Sequence, residues 1–352
     1  MSQLISCLKM IKSWRPRRLG RRSGRKSGKT DDLETFIRPL ITSFITDLGY
    51  EVEPMTDQEL LHNDKFWEAL YRRAADIGVP HPEGSHALKC LQVGGCYAVV
   101  CLPNHPLEVQ VYVGIYAWLC ATIDDVTEQC LPDFERFHER YITGQAQPTI
   151  LLEAWAGIIR GAYDHYDVVV ANFIATASLD FLNACVLEAR SEFKSMKPSK
   201  GGNSWPWYLR NKDGIGDTYA YFTFCKSECP DISRFLEAVP DMSMYIALTN
   251  DILSFYKEEK AGETNNYVSQ KSFYDGKDVR AVLKDTIAEA QAAVHRMRAV
   301  TKGKGIYEAR LERHIVGSIA FHFVCPRYKL TQFCAPVQEE DVHEKRSTCS
   351  SN

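Results

Sequence analysis

Val109-Gln110-Val111-Tyr112-Val113-Gly114-Ile115-Tyr116-Ala117-Trp118-Leu119-Cys120-Ala121-Thr122-Ile123 is the longest nearly unbroken apolar run in the chain, and Asp124-Asp125 follow it at once. With Gln110 inside it, the run falls short of the roughly 20 apolar residues that a membrane span requires. It reads as a buried helix ending in two adjacent carboxylates. Outward from it, apolar residues recur at spacings of three and four, strict alternation is rare, and glycine and proline punctuate the stretches. The pattern predicts an all-α fold, with helices over 32–48, 57–77, 85–100, 107–128, 133–142, 150–165, 167–193, 204–224, 232–260, 278–300 and 307–332. No repeat of fixed period and no interior linker interrupts them, so residues 31–334 are expected to form one domain of stacked helices. A basic leader at 1–30 and a polar tail at 335–352 are expected to be disordered.

The 352 residues are 45% hydrophobic and 25% charged, the balance of a globular chain rather than a collagen-like or low-complexity one. The net charge of -3 conceals an asymmetry. Ten of the 42 basic residues fall in 1–30 with no acid beside them, which leaves 32 against 45 acids and a net charge near -13 for the remainder. So acidic a body excludes nucleic acid as its main partner, because phosphate binding needs clustered cations on the folded surface. The Arg-rich leader resembles a mitochondrial address, but it lacks a clear amphipathic helix and no apolar secretory segment is present, so a cytoplasmic protein is the preferred reading. Twelve cysteines are scattered without a CxxC pair. Cys225 and Cys229 form a CxxxC with no histidine nearby in the sequence, so free buried thiols are expected rather than zinc or disulfides.

Two motifs carry chemistry. Asp124-Asp125-Val126-Thr127-Glu128 places adjacent carboxylates at the end of an apolar helix, where they are costly unless a cation lies between them. Magnesium, which prefers carboxylate oxygen, is the natural occupant. By itself this DDxxE arises by chance in roughly one chain of this length in several. Asn250-Asp251-Ile252-Leu253-Ser254-Phe255-Tyr256-Lys257-Glu258 is sharper, arising on the order of once in a few hundred chains. Asn250, Ser254 and Glu258 at i, i+4 and i+8 drift by only about 80° around a helix and span about 12 Å along it, so an amide oxygen, a hydroxyl and a carboxylate can meet at one hard cation. Arg210 in Tyr208-Leu209-Arg210-Asn211-Lys212-Asp213-Gly214, Lys257 inside the second motif, and Arg327-Tyr328 add cations suited to a diphosphate.

The order DDVTE, NDILSFYKE and PRYKL, spread over about 200 residues, resembles the class I terpene synthases of fungi, and most closely the trichodiene synthase family. The resemblance implies a single-domain helical bundle around a deep apolar cavity, three Mg²⁺ ions at its mouth, and farnesyl diphosphate as substrate. It implies further that Asp124 binds metal, that Asp125 supports it by pairing with Arg327, and that Asn250, Ser254 and Glu258 hold another Mg²⁺. Arg210 is similar to the family's diphosphate sensor, while Lys257, Arg327 and Tyr328 match further diphosphate contacts. Asp213 and Gly214 stand where related enzymes place a linker and a helix-break effector, a role that glycine's tolerance of unusual backbone angles suits.

The family's first motif carries further aspartates where this chain has Val126-Thr127-Glu128-Gln129, so Glu128 alone remains there as a candidate ligand, outside the matched set. Ala121, Cys120 and Ala117, one and two turns before the aspartates, are small and predict a roomy wall. With the basic leader they suggest a sister enzyme with another product, a polycyclic hydrocarbon such as trichodiene or an alcohol such as longiborneol. Tyr219, Phe222, Phe321 and Phe323 are the aromatic wall candidates, with ordinary core packing the alternative for each. Two rival readings are weighed: a chain-elongating prenyltransferase, disfavoured because the second motif is Asn-Asp-Ser-Glu rather than DDxxD, and a noncatalytic isoprenoid-binding protein of the same fold. The sequence leaves a homodimer open.

Overall fold

The computed structural model describes residues 28–50, 57–328 and 330. Most of the expected leader, residues 1–27, and all of the expected tail at 335–352 lie outside the described residues. The chain forms α1 (Gly28–Asp47), α2 (Asp57–Ile77), α3 (His86–Cys101), α4 (Leu107–Val126), α5 (Leu131–Glu135), α6 (Phe137–Thr143), α7 (Ile150–His165), α8 (Val168–Ala189), α9 (Ser191–Lys194), α10 (Trp205–Asp213), α11 (Gly216–Phe222), α12 (Val239–Ala261), α13 (Tyr267–Asp275), α14 (Val279–Thr301) and α15 (Ile306–Val324). Short 3-10 turns lie at Thr127–Cys130, Ile232–Arg234, Leu236–Ala238 and Pro326–Tyr328. No strand occurs among the described residues. The fold is all-α, as the periodicity predicts.

Six helices pack in an order that closes on itself: α3 on α4, α4 on α8, α8 on α11, α11 on α12, α12 on α15, and α15 back on α3. The remaining long helices buttress this ring from outside, α2 and α7 against α4 and α14 against α12. The run that opened the sequence reading is α4, buried along nearly its whole length. Its polar interruptions are satisfied rather than tolerated: Gln110, fully buried, donates to the Leu102 carbonyl at 2.6 Å and bonds His62 Nε2 at 2.6 Å, and Thr122 donates to the Trp118 carbonyl at 2.8 Å. The α3–α4 seam is closest at Gly94, where a Cβ would stand 2.5 Å from the Gly114 carbonyl oxygen and 2.6 Å from the Trp118 nitrogen. Only glycine allows backbones to approach so closely.

The structure corrects several expected boundaries. The helix expected over 204–224 is two helices, α10 and α11, because Ile215 between them is left-handed at φ 49°, ψ 26°. The helix expected over 307–332 ends at Val324; Cys325 is extended, and Arg327 and Tyr328 sit on the 3-10 turn beyond it. Pro326 explains the stop, since a residue before proline is pushed out of the α region. The helix expected over 107–128 yields to a 3-10 turn at Thr127, and that over 133–142 breaks at Arg136. The helix expected over 232–260 begins only at Val239, with Pro240 in its first turn, where a missing N–H costs nothing. Residues 28–30, counted with the leader, already belong to α1.

Among the described residues, α8 is long and apolar enough to cross a membrane, which the shorter α4 run is not. Its buried face, including Val170, Ala171, Ile174, Ser178, Phe181 and Leu182, packs on α7, α10 and α11. The nine described cysteines are free thiols, all buried except Cys130, in accord with the expectation of buried thiols.

Candidate active site

Asp124 and Asp125 emerge at the C-terminal end of α4, the negative end of the helix dipole, where a carboxylate is least welcome. Asp124 retains solvent contact, yet the surrounding protein raises its carboxyl pKa, Asp125 adds a like charge, and Arg327 pulls the other way. Asp125 bonds His86 Nε2 at 2.5 Å. Arg327, exposed on its turn, counts Tyr328, Asp125 and Asp124 among the groups that raise its pKa against the opposing effect of packing. The expected pairing of Asp125 with Arg327 is therefore an electrostatic neighbourhood here, while the hydrogen bond goes to His86. Glu128 leaves the mouth: it is 72% exposed and pairs with Lys194 of α9 at 2.5 Å.

On α12 the three spaced residues share a face, as their periodicity requires. Gly262, left-handed at φ 73°, caps the helix one turn beyond Glu258 by donating its N–H to the Glu258 and Glu259 carbonyls. Asn250 donates Nδ2 to the Tyr328 hydroxyl at 3.1 Å and lies 3.3 Å from His322 Nε2. Glu258 meets Lys257 at 3.6 Å, both largely shielded. Ser254 is 1% exposed and its hydroxyl has no hydrogen-bond partner.

Arg210, near the end of α10, reaches across to α12. Its Nε donates to Asp251 at 2.9 Å, Nη1 to Asp213 at 3.1 Å, and Nη2 to the Ala247 carbonyl at 3.0 Å and Asn250 Oδ1 at 3.4 Å. Burial works against the guanidinium charge, but Asp251 and Asp213 outweigh it and hold its pKa above the ordinary arginine value. Asp251, quoted with the second motif but given no role from sequence, is pushed up to about 7 by burial, with Arg210 opposing. Gly214 has an ordinary backbone, φ -76° and ψ -11°, so the unusual angle expected there falls on Ile215 instead. What Gly214 supplies is room: a Cβ would stand 2.6 Å from Arg210 Nη1 and 2.9 Å from the Arg210 carbonyl oxygen. A polar pocket of about 150 Å³ opens between α10, α12 and α13, lined by Arg210, Asp213, Asn250, Asp251, Glu258 and Tyr267.

The two motifs belong to one electrostatic site. Asp124 feels Asp213 and Arg210 as well as Arg327, and Tyr328, hydrogen-bonded to Asn250, feels both arginines. Glu188, near the end of α8, completes the circuit: burial, Asp213 and Asp124 push its carboxyl up to about 7, and Arg210 opposes them. Sequence reading passes over Glu188; an acid near the end of a largely apolar helix was the available signal. His322, whose pKa burial lowers to about 4, was likewise unassigned.

The wall candidates divide. Tyr219 and Phe321 both meet Tyr97, at 4.6 and 5.5 Å between ring centroids, and Tyr219 also meets Tyr116 at 6.4 Å. Phe222 packs against Tyr219 at 5.9 Å and Tyr116 at 4.9 Å, fully buried. Phe323 stacks on Tyr50, beyond the end of α1, at 5.8 Å and so faces away from the group around Tyr97. Two residues along a helix turn a side chain by about 200°, which separates Phe323 from Phe321.

The donor set suits a divalent metal. An amide oxygen, a hydroxyl and two carboxylates are hard oxygen ligands, and a buried hydroxyl lacking a partner, as at Ser254, carries an unpaid desolvation cost that a bound cation would relieve. The residues therefore fit the ion.

Residues 84–349 match the family model described as Trichodiene synthase (TRI5). The chain is 39% identical over 311 residues to Longiborneol synthase CLM1 of Gibberella zeae, covering 88% of this chain and 90% of that one. It is 34% identical over 302 residues to Terpene synthase BipA of Cochliobolus sativus, covering 85% and 92%. A solved linalool/nerolidol synthase from Streptomyces clavuligerus, in complex with 2-fluorogeranyl diphosphate, shares the fold at a TM-score of 0.51 and 12% identity, covering 80% of this chain and 96% of that one. The chain belongs to the trichodiene synthase (TRI5) family and is a terpene cyclase.

Proposed function

We propose that the chain is a sesquiterpene synthase that takes farnesyl diphosphate, uses Mg²⁺ with three ions in the loaded site, and closes the released farnesyl cation to a polycyclic product. The likeness to a longiborneol synthase makes longiborneol the first product to test. The observation that carries this reading is that Asp124, at the end of α4, lies in the field of Arg210, Asp213 and Arg327, while Arg210 itself reaches Asn250 Oδ1 on α12 at 3.4 Å.

Asp124, Asn250, Ser254 and Glu258 would hold the metal, which when bound supplies Lewis-acid neutralisation of the diphosphate. Arg210, Lys257, Arg327 and Tyr328 offer the leaving group a guanidinium fork, an ammonium, a second guanidinium and a hydroxyl, donors aimed at charge that develops only as the bond breaks. Arg210 already spends its donors on Asp251, Asp213 and the Ala247 carbonyl, so binding diphosphate requires it to exchange partners. That exchange ties occupancy of the site to the α10–α11 break. Asp213 is the linker in this scheme and Gly214 the position that lets the guanidinium turn. Behind the mouth, the faces of Tyr97, Tyr219 and Phe321 stabilise the passing cation, and the apolar packing of the ring excludes water.

The test is diphosphate release from farnesyl diphosphate with and without Mg²⁺, beside Asp124→Ala and Asn250→Ala, with the products identified by gas chromatography and mass spectrometry. Release that depends on Mg²⁺ and both residues, with a cyclic product, is expected. A linear, longer prenyl diphosphate would establish the chain-elongating reading instead, and geranyl and geranylgeranyl diphosphate run in parallel test the chain length.

A further inference from the structure

His86 and Cys90 occupy positions i and i+4 of α3, on one face, and Asp125 comes to them from the end of α4. His86 Nε2 lies 3.5 Å from Cys90 Sγ, Cys90 Sγ lies 3.7 Å from Asp125 Oδ2, and Asp125 Oδ2 lies 2.5 Å from His86 Nε2. We propose that these three residues form a site for one thiophilic divalent cation, zinc foremost, chemically distinct from the oxygen-donor site beside it.

The geometry is close to what such an ion needs. Zinc bonds of about 2.0–2.3 Å in a tetrahedron put ligand atoms roughly 3.3–3.7 Å apart. Two of the three edges already have that length, and the third opens by about 1 Å once the proton shared by His86 and Asp125 gives way to the ion. The fourth position can be taken by water, because the His86 side chain is 61% exposed. A thiolate and an imidazole select zinc over magnesium, which prefers carboxylates and retains its waters. Another His, Cys and acid cluster, His105, Cys225 and Glu228, is less suited, because Arg310 donates to Glu228 at 2.5 Å and would hold a fixed positive charge against the ion. The sequence reading expects no zinc because no CxxC pair occurs and Cys225 and Cys229 have no histidine nearby in the sequence; His86 and Cys90 become a candidate only when Asp125, 39 residues downstream of His86, is folded beside them.

Occupancy has a consequence that rests on the function proposed above. Cys90, Asp125 and Arg327 are electrostatic neighbours. Zinc here would withdraw Asp125 from Arg327 and add positive charge next to it, and so inhibit the enzyme without displacing Mg²⁺.

The binding test requires no turnover. The metal-free, reduced full-length protein is titrated with Co²⁺ and followed by absorbance. One equivalent is expected to give a thiolate-to-cobalt charge-transfer band that equimolar Zn²⁺ discharges and excess Mg²⁺ leaves intact. Cys90→Ser and His86→Ala should weaken binding at least tenfold, while Asp124→Ala and Cys225→Ser retain it. No band, a band displaced by Mg²⁺, or a band lost in Cys225→Ser and kept in Cys90→Ser would overturn the site. In turnover, zinc should slow diphosphate release at least fivefold in the wild type and not in Cys90→Ser; binding without that difference would overturn the inhibitory role.

Discussion

Ser254 separates the metal's contribution from that of the fold. Its hydroxyl is buried without a partner, so in the metal-free protein Ser254→Ala removes an unsatisfied group and should leave the melting temperature unchanged or slightly raised. On the proposed function the same change removes a metal ligand, so the Mg²⁺ concentration for half-maximal diphosphate release should rise at least about tenfold. A variant that melted several degrees lower would show that the hydroxyl supports the fold instead. Gly214 is the converse case. Gly214→Ala puts a methyl 2.6 Å from Arg210 Nη1, and the guanidinium must leave its place between Asp213 and Asp251. Misplacing a catalytic group by about 1 Å costs about 10²-fold, so kcat should fall on that scale, and because the methyl would also stand 2.9 Å from the Arg210 carbonyl oxygen and break the shielded pairs of Arg210, the melting temperature should fall as well. Steady-state kinetics beside a thermal melt check both halves.

At the scale of helices, what positions the site is close packing remote from it. Gly94→Ala would push a Cβ against the Gly114 carbonyl and the Trp118 nitrogen, backbone atoms that cannot rotate away. Overpacking of this kind costs about 1–3 kcal/mol and should force α4 outward from α3, carrying Asp124 and Asp125 with it. A lowered melting temperature together with a raised KM for the diphosphate substrate is the expected pair, read from thermal melts and initial rates; lost stability with KM unchanged would mean that α4 does not shift as a body. The existence of these helices was legible because periodicity is a local property: the expected 57–77 and 150–165 coincide with α2 and α7. Their ends were less legible. The break before α11 lies at Ile215, a β-branched residue in a left-handed conformation that no propensity favours and that only the surrounding packing can impose. The turn under Arg327-Tyr328, by contrast, had a local signal in Pro326, which the helix expected over 307–332 ran through.

Across the whole molecule the same division holds. Asn250, Ser254 and Glu258 were legible as one helix face because a single helix sets their spacing. Glu188, His322 and the His86–Asp125 contact were not, because they exist only once α3, α4, α8, α12 and α15 are packed. Buried histidines show what that packing does to stability. His105 donates Nε2 to the Thr223 carbonyl at 3.0 Å, and His314 meets the Thr223 hydroxyl at 2.8 Å, so the segment before α4, the end of α11 and the middle of α15 are joined at one residue. Burial, with Arg310 adding to it, lowers His105 to about 3, and burial lowers His314 to about 4. The unfolded chain takes up these protons near pH 6.5, whereas the native chain resists them until pH 3–4. Between those limits the unfolded state holds more protons, so stability falls as pH falls, and above about pH 7 neither histidine contributes. At 1.36 kcal/mol per pH unit, each should cost the native state about 2 kcal/mol at pH 5. Thermal melts from pH 8 to pH 5 on the wild type and on a His105→Gln, His314→Gln double variant test this. The variant should start lower, having lost the shape of both rings, and then fall less steeply than the wild type. Parallel slopes would overturn the assignment of the acid sensitivity to these two histidines; Asp251 and Glu188, pushed up to about 7, act in the opposite sense, since the native state takes up their protons first and gains stability as the pH falls.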